Sequence, residues 1–355
     1  MRSAVLTGLL LALATAAGAD IRWIEKDHDF GLMKEQAGPV TATSRFVNMG
    51  PDTVTVFSVR PSCGCTSADF SDAPVAPGDT AVISYTYDPY MRPGRFDKSV
   101  KVRMADGQRH SIRITGNVLG TPESVATLFP VDAGAMKLSD EIVDFGEVTF
   151  GRAPVGFINA YSMPLDSITP AAEEPTGSIR IKPSKPKAGP GDIVTYSATF
   201  ESRRLGQYGP VEVPVRFCAN PAADDPQWVT LYFRAFVLPD TQALALRQGD
   251  KRPVCDVTPL PVDLGADITE PELRAVISVT NTGSGPLEIL RLHSPDKAIS
   301  LGRIPKAVKP GKTARIQIRV DTQALPDGPF RIPLDLITDD PLHPHVQIPV
   351  AGMKK

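Results

Sequence analysis

Apolar and polar residues alternate along this chain in short runs. Ala81–Tyr87, AVISYTY, sets Ile83, Tyr85 and Tyr87 on one side, and Ala314–Val320, ARIQIRV, does the same with Ile316, Ile318 and Val320. A period of two predicts strands with one buried face. Lys98–Met104 and His110–Thr115 flank Asp106-Gly107, a dipeptide that favours a tight hairpin. No window carries a sustained helical stripe. With 35 prolines and 28 glycines between these runs, the chain reads as all-β, built from short strands and turns. Pro214, Pro333 and Pro349 fall inside strand-like runs. Lacking an N–H, they are expected at edges or bulges, where they also discourage open-edge aggregation.

The runs form a pattern that occurs three times. The first copy holds Phe30-Gly31, Phe46-Val47-Asn48-Met49-Gly50, Ala76-Pro77-Gly78-Asp79 and Gly94-Arg95-Phe96. The second holds Asp144-Phe145-Gly146, Phe157-Ile158-Asn159, Gly189-Pro190-Gly191-Asp192 and Gly206-Gln207-Tyr208. The third holds Asp263-Leu264-Gly265, Val279-Thr280-Asn281-Thr282-Gly283, Lys309-Pro310-Gly311-Lys312 and Gly328-Pro329-Phe330. From the Asn to the Gly of Pro-Gly is 30, 32 and 30 residues, and from there to the Gly before the aromatic is 16, 15 and 17. Three tandem immunoglobulin-like β-sandwich domains are expected, at residues 20–120, 136–239 and 254–355. Of the two short linkers, the second, with TQALALRQGDKR, is polar enough for a hinge.

Residues 1–19 read as a signal peptide: one arginine, an apolar run too short to span a membrane comfortably, and Ala17-Gly18-Ala19 before Asp20. No cysteine follows that run, so a lipoprotein anchor is not expected, and no later segment reaches about 18 uninterrupted apolar residues. The mature chain is expected in the periplasm or outside the cell, without a transmembrane segment. A net charge of −2 with no basic stripe in the sequence argues against a nucleic-acid partner.

Candidate chemistry centres on Cys63-Gly64-Cys65, in RPSCGCTSADF. In an oxidising compartment most cysteines pair. Four readings stay open: two reduced, buried thiols; a soft, copper-type metal held by both; a labile bond between them, which would close a small strained ring; or pairing outside the domain. The remaining thiols, Cys218 and Cys255, are expected to form a disulfide fastening the second domain to the third.

The segment RFVNMG, RPSCGCT, APGD, a Tyr-Asp-Pro run, RPGRFDKSVKV and ITGNV, over residues 26–118, resembles the bacterial family called domain of unknown function 1573. That family is common in Bacteroidetes envelopes and is similar to the immunoglobulin-like class of Hydin and major-sperm-protein domains. The resemblance implies motif positions at Asn48, Gly50, Cys63, Gly64, Cys65, Thr66, Pro77, Gly78, Gly94 and Phe96. The other two copies keep the turns without the cysteines; SMPLDSITP and RLHSPDKAIS occupy that region. There the resemblance implies fold only.

His343-Pro344-His345 reads as a loop, not a pair of metal ligands, and Asp224-Asp225 and Asp339-Asp340 read as solvated loops without the spacing of a calcium site. Nucleophile-elbow, zincin, P-loop and dinucleotide motifs are missing from the sequence. The expectation is therefore a non-catalytic envelope scaffold or protein-interaction protein with no cofactor and with envelope or secreted proteins as partners. The alternative is a thiol-based metal or redox protein using Cys63 and Cys65.

Overall fold

A computed structural model of the chain describes residues 20–163, 166–174 and 176–355. The leader with its Ala17-Gly18-Ala19 site, and Pro164 and Leu165 of SMPLDSITP, lie outside the described residues. The strands assemble into six sheets, which face one another in pairs around separate cores.

Unit one holds β1 (Ile21–Glu25), β2 (His28–Lys34), β3 (Val40–Asn48), β4 (Val56–Pro61), β5 (Thr66–Phe70), β6 (Thr80–Tyr87), β7 (Gly94–Met104) and β8 (Arg109–Leu119). Its sheets run β1-β3-β6-β5 and β2-β8-β7-β4. Unit two holds β9 (Val131–Ala133), β10 (Met136–Leu138), β11 (Ile142–Thr149), β12 (Val155–Ser162), β13 (Ala171–Glu173), β14 (Ile179–Pro183), β15 (Ile193–Phe200), β16 (Gly209–Cys218) and β17 (Trp228–Leu238). Its sheets run β14-β15-β12-β10-β9 and β11-β17-β16-β13. Unit three holds β18 (Cys255–Thr258), β19 (Val262–Asp263), β20 (Glu272–Asn281), β21 (Leu287–His293), β22 (Ile299–Leu301), β23 (Ala307–Val308), β24 (Thr313–Asp321), β25 (Gly328–Thr338) and β26 (His345–Lys354). Its sheets run β18-β20-β24-β22 and β19-β26-β25-β21-β23. Short helices punctuate this framework: α1 (Pro122–Leu128) and α3 (Thr241–Gln248) in the two linkers and α2 (Ser202–Leu205) within unit two. They are too brief to show a helical stripe in the sequence. No helix among the described residues is long and apolar enough to cross a membrane.

The repeated landmarks have physical causes. In each unit an early strand lies parallel to the last one, as β2 to β8, β11 to β17 and β19 to β26. The N–H of Gly31 donates to Asp29 Oδ1 at 3.0 Å, Gly146 to Asp144 at 2.8 Å and Gly265 to Asp263 at 2.8 Å. This Asp-x-Gly turn needs a left-handed residue, and the three glycines have φ of 65°, 64° and 87°.

The Pro-Gly turn is anchored from the end of the third strand. Asn48 Nδ2 donates to the carbonyls of Asp52 (2.7 Å) and Val75 (3.0 Å) while Oδ1 accepts from Gly50 N (3.0 Å). Asn281 repeats the set with Gly285, Val308 and Gly283. In unit two the equivalent residue is Ser162 rather than Asn159. Gly191 N donates to the Ser162 carbonyl, as Gly78 does to Asn48 and Gly311 to Asn281. Asn159 sits within β12 and accepts from Thr195 Oγ1 at 2.7 Å. The 32-residue spacing therefore started from a residue three positions too early.

The alternating faces bury as their period requires. Ile83, Tyr85 and Tyr87, and Ile316, Ile318 and Val320, are all buried. Pro214, Pro333 and Pro349 lie in interior strands by sheet order. Each sits beyond the paired stretch of the strand on its open side, since β13 pairs only from Arg216, β21 only from Asp335 and β19 only from Val350. Their missing N–H therefore breaks no ladder there.

Both junctions between units are tied by polar contacts. At the first, Glu35 is buried and accepts from Met91 N (2.8 Å), Thr121 N (3.0 Å) and Ser124 Oγ (2.5 Å), holding the start of α1. Asn117 Nδ2 donates to the Pro190 carbonyl at 3.0 Å, and Gly120 N to the Tyr161 hydroxyl at 2.9 Å. At the second, Arg291 Nη1 donates to the carbonyls of Tyr208 (2.5 Å) and Pro210 (2.9 Å), and Gln248 Nε2 to Asp339 Oδ2 (3.0 Å). The expected hinge is tied to unit three at its C-terminal side, by Gln248 at the end of α3 and just beyond it by Cys255 N, which donates to Asp340 Oδ2 at 3.0 Å.

Candidate functional site

Cys63 and Cys65 occupy the crossover from one sheet of unit one to the other, between β4 and β5. Ser62 N donates to the Ser99 carbonyl (2.8 Å), fastening the end of β4 to β7, and Asp88 N donates to the Cys65 carbonyl (2.9 Å), fastening the start of β5 beyond β6. Between these anchors the two sulfurs are bonded to each other, with Cα atoms 5.3 Å apart. Cys63 is half-buried and Cys65 buried, while Gly64 is exposed. A side chain at Gly64 would meet nothing within 4 Å, so packing does not dictate glycine there. Thr66 Oγ1 lies 3.5 Å from Cys63 Sγ and 3.9 Å from Cys65 Sγ.

The bond rests on a small apolar cluster of Met33, Tyr87, Phe96 and Val118. The Tyr87 and Phe96 rings stack with centroids 3.8 Å apart, and burial holds the Tyr87 hydroxyl above its ordinary pKa. Phe96 lies so close over Gly116 that a Cβ there would sit 2.7 Å from the ring. Gly94 packs against unit two, where a Cβ would meet Ile193 Cδ1 at 2.5 Å. The family-type positions therefore divide. Asn48, Gly50, Pro77 and Gly78 build the turn at the Thr80 end of β6. Cys63, Gly64, Cys65, Thr66, Gly94 and Phe96 lie toward its Tyr87 end, about 20 Å away.

The other two units close the same crossover without sulfur. In unit three, Asp296 N donates to Ser294 Oγ (3.2 Å) and Ala298 N to Asp296 Oδ1 (2.8 Å), within the expected RLHSPDKAIS stretch. In unit two the crossover follows β13, where Glu174 accepts from Thr176 N (2.8 Å) and Ile179 N (3.3 Å). SMPLDSITP precedes β13 and is not the counterpart of the cysteine segment.

The expected Cys218–Cys255 disulfide is not formed; both thiols are free. Cys218 is buried at the end of β16, opposite Trp228, whereas unit three meets β16 at its Gly209 end. Nine residues of extended strand separate those ends by about 30 Å. Cys255 lies beside Asn281 at the start of β18, and its thiol is pushed up to about 12 by burial and then by Asp340. Metal ligation by the Cys63 and Cys65 thiolates does not fit the bonded pair, and no cluster of three or more His, Cys, Asp or Glu suited to a metal occurs among the described residues.

Asp339 and Asp340 depart from the solvated loop expected of them, since both are buried. Asp340 Oδ1 accepts from Leu342 N and His343 N, and Asp339 Oδ1 from Glu288 N at 2.7 Å; burial raises the Asp339 pKa. His343 and His345 have different acidic neighbours, His345 Nε2 lying 2.8 Å from Asp335 Oδ1 and His343 Nδ1 3.9 Å from Asp340 Oδ2. Of the residues that hold the junctions, Glu35, between Lys34 and Gln36, carries no local sequence signal, and Arg291 carries one cue, a cation between Leu290 and Leu292.

Residues 21–118 match the family described as protein of unknown function, DUF1573. No curated protein sequence matches the chain. Among solved structures, a protein of unknown function from Porphyromonas gingivalis W83 is 16% identical, over 62% of this chain and 100% of that one, with a TM-score of 0.49. The seventh PapD-like domain of human CEP192 is 8% identical, over 34% of this chain and 99% of that one, with a TM-score of 0.27.

Proposed function

We propose that this chain, whose first unit matches DUF1573, is a non-catalytic interaction protein of the bacterial periplasm or cell surface. It is secreted by way of residues 1–19 and displays sheet edges to envelope or secreted proteins. The observation that carries this reading is the fastening of both junctions, at Glu35, Asn117 and Tyr161 on one side and at Arg291 and Gln248 on the other. Locked units hold their edges in set positions, so a partner strand pairing with an edge loses less freedom to reorganisation. In unit one the edges are β1 and β5 on one sheet and β2 and β4 on the other.

Site-specific photo-crosslinking tests the reading in cells secreting the full chain. A probe at Arg22 on edge strand β1 should give discrete protein adducts that a probe at Arg319, on interior strand β24, does not. Failure of every edge position in all three units would overturn it. The mass of the secreted product tests location: a chain starting at Asp20 is expected, and cytosolic retention with residues 1–19 intact would refute secretion.

The half-buried Cys63 side of the disulfide favours one second reading, thiol redox chemistry, with soft-metal capture once both sulfurs are reduced. Equilibration with a glutathione series should then titrate two thiols reversibly, and the reduced chain should retain copper(I) that a Cys63→Ser, Cys65→Ser variant loses. Neither response appearing would remove this reading and leave the interaction role intact.

A further inference from the structure

The outward face of β4, β7 and β8 in unit one carries an arrangement that sheet stability does not explain. Register sets Arg60 opposite Lys101 and Lys101 opposite Ser111 in one row. In the next row Ser58 lies opposite Arg103 and Arg103 opposite Arg109. Both rows thus place a cation directly across from a cation, which destabilises a sheet. The four cations are exposed. Among the described residues none of them forms an ion pair.

Elsewhere the sheets neutralise such positions. Glu212 faces Arg234, Glu173 faces Arg216 and Asp132 faces Lys137, each pair in register and bridged. On β20 and β24 the like pairs Arg274/Arg319 and Glu272/Asp321 lie two residues apart and offset each other. Residues 20–120 contain twelve Lys or Arg and twelve Asp or Glu. The excess on this face is therefore a matter of placement, not of net charge.

A second feature stands on the same face. The β4–β7 ladder shifts register between Val56 and Ser58, and the extra residue, Phe57, is 63% exposed. Bulges of this kind re-aim a side chain. The Arg103 guanidinium lies 5.2 Å from the centre of the Phe57 ring. Ring and cations border an open depression of about 570 Å³ whose lining contains no carboxylate.

We propose that this face binds an anionic polysaccharide. Two rows of cations match a polymer that repeats its acid groups, and guanidinium groups pair with carboxylate or sulfate through two parallel hydrogen bonds. Ser58 and Ser111 offer hydroxyls to sugar hydroxyls, and Phe57 an aromatic surface to the C–H face of a sugar ring. A protein partner is the poorer match, because protein interfaces centre on a well-packed apolar core and this face offers one exposed apolar side chain, Phe57. Single-stranded nucleic acid is also poorer, since it stacks on several aromatic platforms and this face has one. The proposal concerns a sheet face and a glycan, so it stands or falls separately from edge display to proteins.

Affinity electrophoresis and calorimetry of the full mature chain against dextran, carboxymethyl-dextran and dextran sulfate test it, with polyglutamate and a single-stranded oligonucleotide as competing probes. The anionic dextrans should bind, more weakly as salt rises, and neutral dextran should not. Arg60→Gln with Arg103→Gln should weaken binding at least about tenfold and Phe57→Ala roughly threefold, with unfolding midpoints maintained. Arg315→Gln with Arg319→Gln, in unit three, should leave it unchanged. The proposal is overturned if neither anionic dextran binds, if polyglutamate or the oligonucleotide binds as tightly, or if the unit-three pair costs as much as the unit-one pair.

Discussion

The hairpin β7–β8 of unit one and the hairpin β16–β17 of unit two hold the same place in the same kind of sheet, and each carries a bridged pair, Arg113 with Asp97 and Arg234 with Glu212, yet only the first also sets cation against cation. Across the second, Arg234 Nε reaches Glu212 Oε2 at 2.6 Å. Across the first, Arg103 faces Arg109. Inward positions on both hairpins obey one rule, with Val100, Val102 and Ile112 buried in one and Val213, Val215 and Phe233 in the other. The pleat forces the inner face to be apolar and leaves the outer face free. Outward charges therefore report how a unit is used more than how it folds. The same contrast extends to the turn anchors, Asn48 against Ser162, and to the crossover, a disulfide against hydrogen-bonded turns.

The strongest way to probe that comparison is at the anchors. Asn48→Ala leaves the Gly50 N–H and the Asp52 carbonyl without their side-chain partner, Asn281→Ala does the same to Gly283 and Gly285, and each should cost about 2–3 kcal/mol. Segment-resolved hydrogen exchange should place each loss in its own unit. Ser162→Ala should shift unit two by less than about 0.5 kcal/mol, because its buried Oγ has no partner. Equal losses at all three positions would erase the distinction.

Next in size is the second junction. Arg291→Met strips the Tyr208 and Pro210 carbonyls of their donor and should cost about 2 kcal/mol, read as faster exchange on both sides of the junction with unit one unchanged. Replacing Cys63 and Cys65 together by serine should lower unit one's stability by about 1–2 kcal/mol, leaving units two and three with their own midpoints. A loss spread over all three units would mean that the crossover is not a local fastening.

Acid should also separate the units. His110 is held below its usual 6.5 by burial and by Lys26, so the unfolded chain takes up a proton at higher pH than the folded one. Stability is thus lost as pH falls through 6.5. Residues 136–239 contain no histidine, and unit two should be level between pH 7.5 and 5.5 while unit one declines. In unit three, burial lowers His293 in the same sense and raises Asp339 in the opposite one, which makes unit one the clean test. His110→Phe should flatten its profile; a slope that persists would assign the effect elsewhere.

The smallest effect bears on the charges themselves. Arg103→Glu, which sets a carboxylate opposite Arg109, should stabilise unit one by about 0.5 kcal/mol, and Glu212→Lys should cost unit two a similar amount. Denaturant midpoints would register both. If Arg103→Glu destabilised instead, the cation rows would be structural after all.

Strands, turns and the threefold pattern were legible because each depends on neighbours in sequence. Alternation selects a buried face, Pro-Gly and Asp-x-Gly select turns, and these cues lie within a few residues of one another. Asn159 shows where this ends: the motif looked right, but only the hydrogen bonds to the Pro190–Gly191 turn reveal Ser162 in that role. The cysteine pair stood out as a candidate, whereas its state and its position on the Tyr87–Phe96 stack depended on strands that are distant in sequence. Arg60, Lys101, Arg103 and Arg109 were visible as scattered cations. Antiparallel register, set by the ladder and shifted by a bulge at Phe57, made them one surface.

The sequence by itself determined an all-β chain of repeated units with a single thiol-bearing crossover, because alternation and turn chemistry are local. The tertiary structure alone decided which thiols pair, which carboxylates are buried, how the units are fastened and which charges share a face. Those outcomes depend on groups brought together from far along the chain, and no local pattern encodes that proximity.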